Sequence, residues 1–118
     1  MLMDHRQIEA AQKTFCSQKG TAFVPTCPDD KIGFASSTSD LRPINGLRHP
    51  PTPGTSGWYL WCGEAFSESA DFFEPQHARH VYESLPEAAQ LFGLPPGYRF
   101  LLAGDYLDVW YDEQLLFV

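Results

Sequence analysis

A chain of 118 residues, 43% hydrophobic and 19% charged, makes one globular domain, too short for a second core and too apolar for disorder. Its formal net charge of −7 speaks against nucleic-acid binding, which sets Lys and Arg against phosphate, and suits a basic protein partner. There is no cationic-then-apolar leader and no run that would span a membrane, and three cysteines without a Cys-x-x-Cys pair read as reduced thiols of a cytoplasmic protein without a zinc site.

The first predicted element is a helix from Asp4 to Lys19. Asp4 caps it, with Gln7 as capping-box partner. Ile8, Ala11 and Phe15 form its apolar stripe, and Gly20 follows as the left-handed stop. Thr21 to Val24 is a short strand candidate ended by Pro25. Lys31 to Ser36 is a second, with Ile32 and Phe34 on one face. Arg42 to Leu47 reads as a weak strand interrupted by the turn signal Asn45-Gly46. A loop with three prolines (Pro50, Pro51, Pro53) and two glycines (Gly54, Gly57) follows. A structured loop of this kind serves either as a rigid connector or as a binding element.

The chain is organised around Gly57-Trp58-Tyr59-Leu60-Trp61-Cys62-Gly63-Glu64. An unbroken apolar run rich in aromatics and closed by glycines is a strand. Trp58, Leu60 and Cys62 leave one face, and Tyr59 and Trp61 the other. Both sets are apolar, which places this strand in the middle of a sheet that is covered, at least in part, on both sides. The next stretch carries Glu64, Glu68, Asp71 and Glu74 among Phe66, Phe72 and Phe73. A charge run is commonly a solvated face, but carboxylates among phenylalanines suit a protein-binding surface.

A second helix is predicted from Pro75 to Ser84, burying Ala78, Val81, Tyr82 and Leu85, with Pro75 at its first position. Ser84 and Glu87 read as a second capping box that opens a short third helix to Phe92. Tyr98–Ala103 and Leu107–Tyr111 are strands joined at Gly104-Asp105, and Leu115–Val118 is a terminal edge strand. The whole is an α+β domain. Its mostly antiparallel sheet of about five strands packs with helices near 4–19, 75–83 and 85–92. Trp58, Leu60, Phe100 and Leu102 belong to its core.

Chemical motifs are sparse. Glu74, His77 and His80 stand three apart on the second predicted helix, but this is not His-Glu-x-x-His and no further ligand is marked, so no metal is expected. Asp105, Asp108, Asp112 and Glu113 fall at turns and strand ends, where Asp is ordinary. There is no nucleophile elbow, phosphate loop or dinucleotide fingerprint. The expectation is a protein that is not an enzyme and has no cofactor. The alternative is a small enzyme or small-molecule-binding domain that uses the carboxylates near Asp105.

Two groups of segments carry a resemblance. One is Pro43-Ile44-Asn45-Gly46-Leu47-Arg48-His49-Pro50-Pro51 followed by Gly57-Trp58-Tyr59-Leu60-Trp61-Cys62-Gly63-Glu64. The other is Gly93-Leu94-Pro95-Pro96-Gly97-Tyr98-Arg99-Phe100 running into Ala103-Gly104-Asp105-Tyr106 and Val109-Trp110-Tyr111-Asp112-Glu113. In these segments and in their order, the chain beyond about residue 30 resembles the immunity-protein-33-like domain of bacterial polymorphic-toxin systems. The resemblance implies a small bacterial protein that binds and neutralises a cognate toxin domain, and it supplies no catalytic residues. The acidic balance would match a basic cleft on that toxin, such as a nuclease presents. The residues assigned to the partner are Arg48, His49, Glu64, Glu68, Asp71, Glu74, Asp105 and Asp108. No membrane is implied.

Overall fold

The computed structural model describes residues 4–65 and 71–117. Helix α1 spans His5–Lys19. Asp4 and Gln7 form the reciprocal capping box, and Gly20 takes the left-handed conformation at the far end. The start and stop signals both act as the sequence predicts, because each satisfies backbone groups that a helix leaves without partners. Ile8, Gln12, Phe15 and Cys16 are the buried face.

Among the described residues the sheet has six strands, one more than the five or so expected. They are β1 (Lys31–Phe34), β2 (Ile44–Arg48), β3 (Thr55–Cys62), β4 (Glu74–His77), β5 (Tyr98–Ala103) and β6 (Tyr106–Tyr111), in the order β4-β1-β3-β2-β5-β6. The β1–β3 pair is parallel and the other four are antiparallel. The aromatic strand β3 is central. Its Trp58, Leu60 and Cys62 enter the main core with Ile32, Phe34, Ile44, Phe100 and Leu102. That core is closed by α1, by helix α2 (Ala78–Ser84), which contributes Ala78, Val81 and Tyr82, and by a 3₁₀ stretch, Pro86–Gly93, which contributes Leu91 and Phe92. Trp61 goes the other way, into a smaller cluster with Ala35, Leu47 and Leu115 against which Phe72 and Phe73 pack.

Five local expectations are corrected. Residues Thr21–Val24 form no strand. Pro25 breaks any ladder there, and the carbonyls of Val24 and Pro25 accept from the Arg48 guanidinium instead. Asn45-Gly46 is not a turn, because β2 runs straight through it. The Asn45 amide donates to the carbonyls of Pro43, Trp61 and Gly63. At Gly46 a Cβ would overlap the Phe100 ring. Pro75 lies in edge strand β4 rather than in a helix, at a sheet position that tolerates a missing N–H. Helix α2 begins three residues later, its first amides bonded to the carbonyls of Asp30 and Pro28. Ser84 caps nothing: Leu85 is the N-cap of the 3₁₀ stretch, without a side-chain bond, and Glu87 pairs with Arg42 at 3.0 Å. Finally, Leu115 belongs to a 3₁₀ turn, Glu113–Leu116, capped by the Asp112 carboxylate, so among the described residues, which exclude Val118, the sheet ends at β6. Among the described residues no helix is long and apolar enough to cross a membrane.

Candidate protein-binding surface

The helices cover one face of the sheet, and the strand registers define what lies on the other. Tyr59 and Trp61 of β3 stand opposite Leu47 and Asn45 of β2. Asn45 and Leu47 in turn face Leu101 and Arg99 of β5. These two oppose Asp108 and Trp110 of β6. Across β1, Gly33 lies between Tyr59 and Pro75. The Tyr59 ring fills the space a Cβ at Gly33 would take.

This second face is only partly covered. Rings run across it edge to face. His49 meets Tyr59 at 5.4 Å, Tyr59 meets Phe73 at 5.3 Å, and Phe73 meets Phe72 at 4.8 Å and Trp61 at 6.2 Å. Such pairs contribute stability beyond their buried area. Toward β6 the covering stops. Trp110 is 39% exposed and Tyr106 61% exposed. Arg99 lies over the Trp110 ring and pairs with Asp112 at 3.1 Å. On the opposite face Tyr111 is 51% exposed, and Phe117, past the 3₁₀ turn, is 80% exposed.

Of the residues assigned to a partner from the sequence, Arg48 is in the wrong place for contact. It is 1% exposed. Its guanidinium donates to the carbonyls of Ser56, Val24, Leu94 and Pro25 at 2.8–3.2 Å and packs on Trp58. Burial pushes it down to about 10, still charged at neutral pH. Arg48 is on the helix side of β2 because it pairs with Trp58. Its neighbour His49 is half-buried and belongs to the ring array. His49 Nδ1 lies 2.9 Å from the Leu115 carbonyl, which can only accept, so this nitrogen carries the proton.

The carboxylates fall into a pattern. Ile44 pairs with both Cys62 and Leu102, and Phe34 with both Leu60 and Glu74. One end of the sheet therefore carries Glu64 just past β3, Glu74 at the start of β4, and Asp105 in the β5–β6 turn. All three are exposed. Glu74 accepts from Ser36 Oγ at 2.6 Å. Asp71 is exposed in the turn that leads to β4, and Asp108 is exposed midway along β6. Glu68 lies outside the described residues. The proline-rich loop and His49 are at the opposite end, beside Lys31, whose amide bonds the Gly54 carbonyl. The loop does not fold back toward the carboxylates. What joins the two ends is the row of rings.

A cavity of about 290 Å³ opens on this face between β3 and β4, lined by Lys31, Thr55, Tyr59, Phe73 and Pro75 among others. Among the described residues its lining includes no carboxylate, so Asp105 and Asp108 lie away from it. Glu74, His77 and His80 do not share a helix: Glu74 and His77 belong to β4, and only His80 to α2.

The exposed aromatics of β6 are what sequence reasoning passed over. In Tyr106-Leu107-Asp108-Val109-Trp110-Tyr111, large apolar side chains occur on both faces of a strand near the end of a meander. Such a strand has one neighbour to bury them against, and that pattern was the available signal.

A family model described as the Imm33-like domain matches residues 11–112. The chain belongs to the Imm33-like family. No curated protein and no solved structure matches it. The Imm33-like region runs from within α1 to the residue after β6, so all six strands and both ends of the sheet lie inside it. Membership in the Imm33-like family points to an immunity-protein role.

Proposed function

We propose that the chain is an immunity protein that binds a toxin domain in the bacterial cytoplasm and neutralises it by occlusion, without catalysis of its own. The observation that carries this reading is the mixture on the uncovered side of the sheet and on β6. Exposed aromatics (Tyr59, Tyr106, Trp110 and Tyr111) stand among exposed carboxylates (Asp105 and Asp108). Aromatics dominate the energy of protein interfaces. Carboxylates around them steer a basic partner and reject wrong ones. A net charge of −7 extends that field over the whole molecule and suits a toxin with a basic cleft, such as a nuclease.

Contact is assigned to His49, Glu64, Asp71, Glu74, Asp105 and Asp108, with Glu68 by its place in the sequence. Arg48 supports them from behind by holding β2 in place. The test is co-expression with the protein encoded beside it, scored for growth and for co-purification. Rescue of growth together with a stable complex is expected. A toxic neighbour that is neither bound nor relieved would overturn the reading.

A further inference from the structure

The two edges of the sheet are built differently. β4 is four residues long and contains Pro75, and short length and proline are both devices that keep an edge from pairing. β6 is six residues long, has no proline or lysine, and keeps a regular register without a bulge. Asp112 N donates to the Gly97 carbonyl. With the alternation of an antiparallel ladder, this turns the backbone groups of Tyr106, Asp108 and Trp110 toward β5. The N–H and C=O groups of Leu107, Val109 and Tyr111 therefore face outward. Among the described residues nothing bonds them.

We propose that the outer edge of β6 receives an extended segment of the partner as a seventh strand, and that this segment alternates basic and apolar residues. The charge around β6 selects the occupant. Here the chain has four carboxylates (Asp105, Asp108, Asp112 and Glu113) and one cation, Arg99, which is paired with Asp112, so Asp105, Asp108 and Glu113 set an acidic edge. A second copy of this chain is a poor match. Pairing two copies about Val109 would set Asp105 of each against Glu113 of the other and bring together two molecules of net charge −7. The two faces of β6 set the alternation. On the uncovered face Asp108 lies between Tyr106, which is 61% exposed, and Trp110, which carries Arg99, so a Lys or Arg meets the Asp108 carboxylate and the Tyr106 ring. On the helix-side face the half-buried Leu107 and Val109 call for an apolar residue. With the incoming strand antiparallel to β6, residues that bond Leu107, Val109 and Tyr111 share that second face, so the apolar positions of the incoming strand supply its backbone bonds.

This mode of recognition rests on the reading of the chain as a partner-binding protein, but its test needs no toxin. The probe is a capped hexapeptide, Lys-Val-Lys-Val-Lys-Val, titrated into the ¹⁵N-labelled protein. The expected result is binding that slows amide exchange at Leu107, Val109 and Tyr111. The same peptide N-methylated at its valines should bind at least about tenfold more weakly, because those N–H groups face β6. The Glu-Val counterpart should also be weaker, and Asp108→Asn should weaken the lysine peptide by about two- to fivefold. Three results would overturn the proposal. One is no protection of the three amides at millimolar peptide. Another is equal binding of the N-methylated peptide. The third is a dimer of the free protein that Val109→Pro dissociates, which would give the edge to a second copy. Failure here with rescue intact in co-expression would leave the immunity reading standing and remove only the strand-addition mode.

Discussion

Arg48 is a buried cation held by four carbonyls from three separate segments. Its planar fork suits divergent acceptors, whereas lysine offers a single point charge. Arg48→Lys should therefore lose about 2–3 kcal/mol of stability, since buried carbonyls are left without donors. Urea unfolding at neutral pH reads this directly. Tyr82 gives a prediction with a sign. Its hydroxyl donates to the Thr26 carbonyl at 2.8 Å, and burial raises the phenol above its ordinary value of 10.0. Above that pH the unfolded chain ionises the phenol while the folded one keeps the proton. The folded state then binds more protons, and stability falls as pH rises. Tyr82→Phe lacks this loss. It should be less stable than the parent by about 1 kcal/mol at pH 7–8, and the deficit should shrink above pH ~10. Paired denaturation curves at the two pH values test it, and a deficit that widens with pH would contradict the assignment.

At the scale of elements, β2 is held in register by two small residues that read as a turn. Asn45 ties three carbonyls and Gly46 lets the Phe100 ring lie on the strand. Gly46→Ala should cost about 1–3 kcal/mol through overpacking, seen as a lower thermal midpoint. Adding Phe100→Leu should recover part of that loss, because residues in contact couple in a double-mutant cycle. Full additivity of the two changes would show that the ring does not respond to the new methyl. The same logic explains β4. A proline beside a glutamate suits a helix start, and only the free edge of β1, with its regular four-residue register, draws this segment into the sheet.

Taken as a whole, the molecule sets carboxylates around its row of rings and mixes the two along β6. Carboxylates gather at one end of the sheet and along β6, and the rings cross the uncovered face between the two ends. Neutralising Glu64, Asp71, Glu74, Asp105 and Asp108 together should slow association with the proposed toxin partner and flatten its salt dependence. The dissociation rate should change little, because rim charges act on encounter. Truncating Trp110 to Ala should do the reverse, raising the dissociation rate and weakening binding by about 2 kcal/mol or more. Stopped-flow association at low and high salt separates the two effects.

Local chemistry was sufficient for much of this architecture. The Asp4 cap with Gln7, the Gly20 stop, the opposed faces of Trp58 and Tyr59, and the buried stripe of α2 depend on neighbours a few residues away, so pattern alone predicts them. The family resemblance, too, was legible in the segments around Trp58 and Tyr98. The tertiary structure decided wherever a distant group outbid a local preference. Arg48 stands in a proline-rich context that suggests a surface, but its pairing with Trp58 turns it into the core. Asn45-Gly46 has turn chemistry, yet β3 and β5 on either side supply a full ladder. Leu115 has strand character, but the Asp112 cap turns the chain and the Trp61 cluster buries the side chain. The unprotected edge of β6 follows from that last event, since it exists only because the residues after Tyr111 leave the sheet.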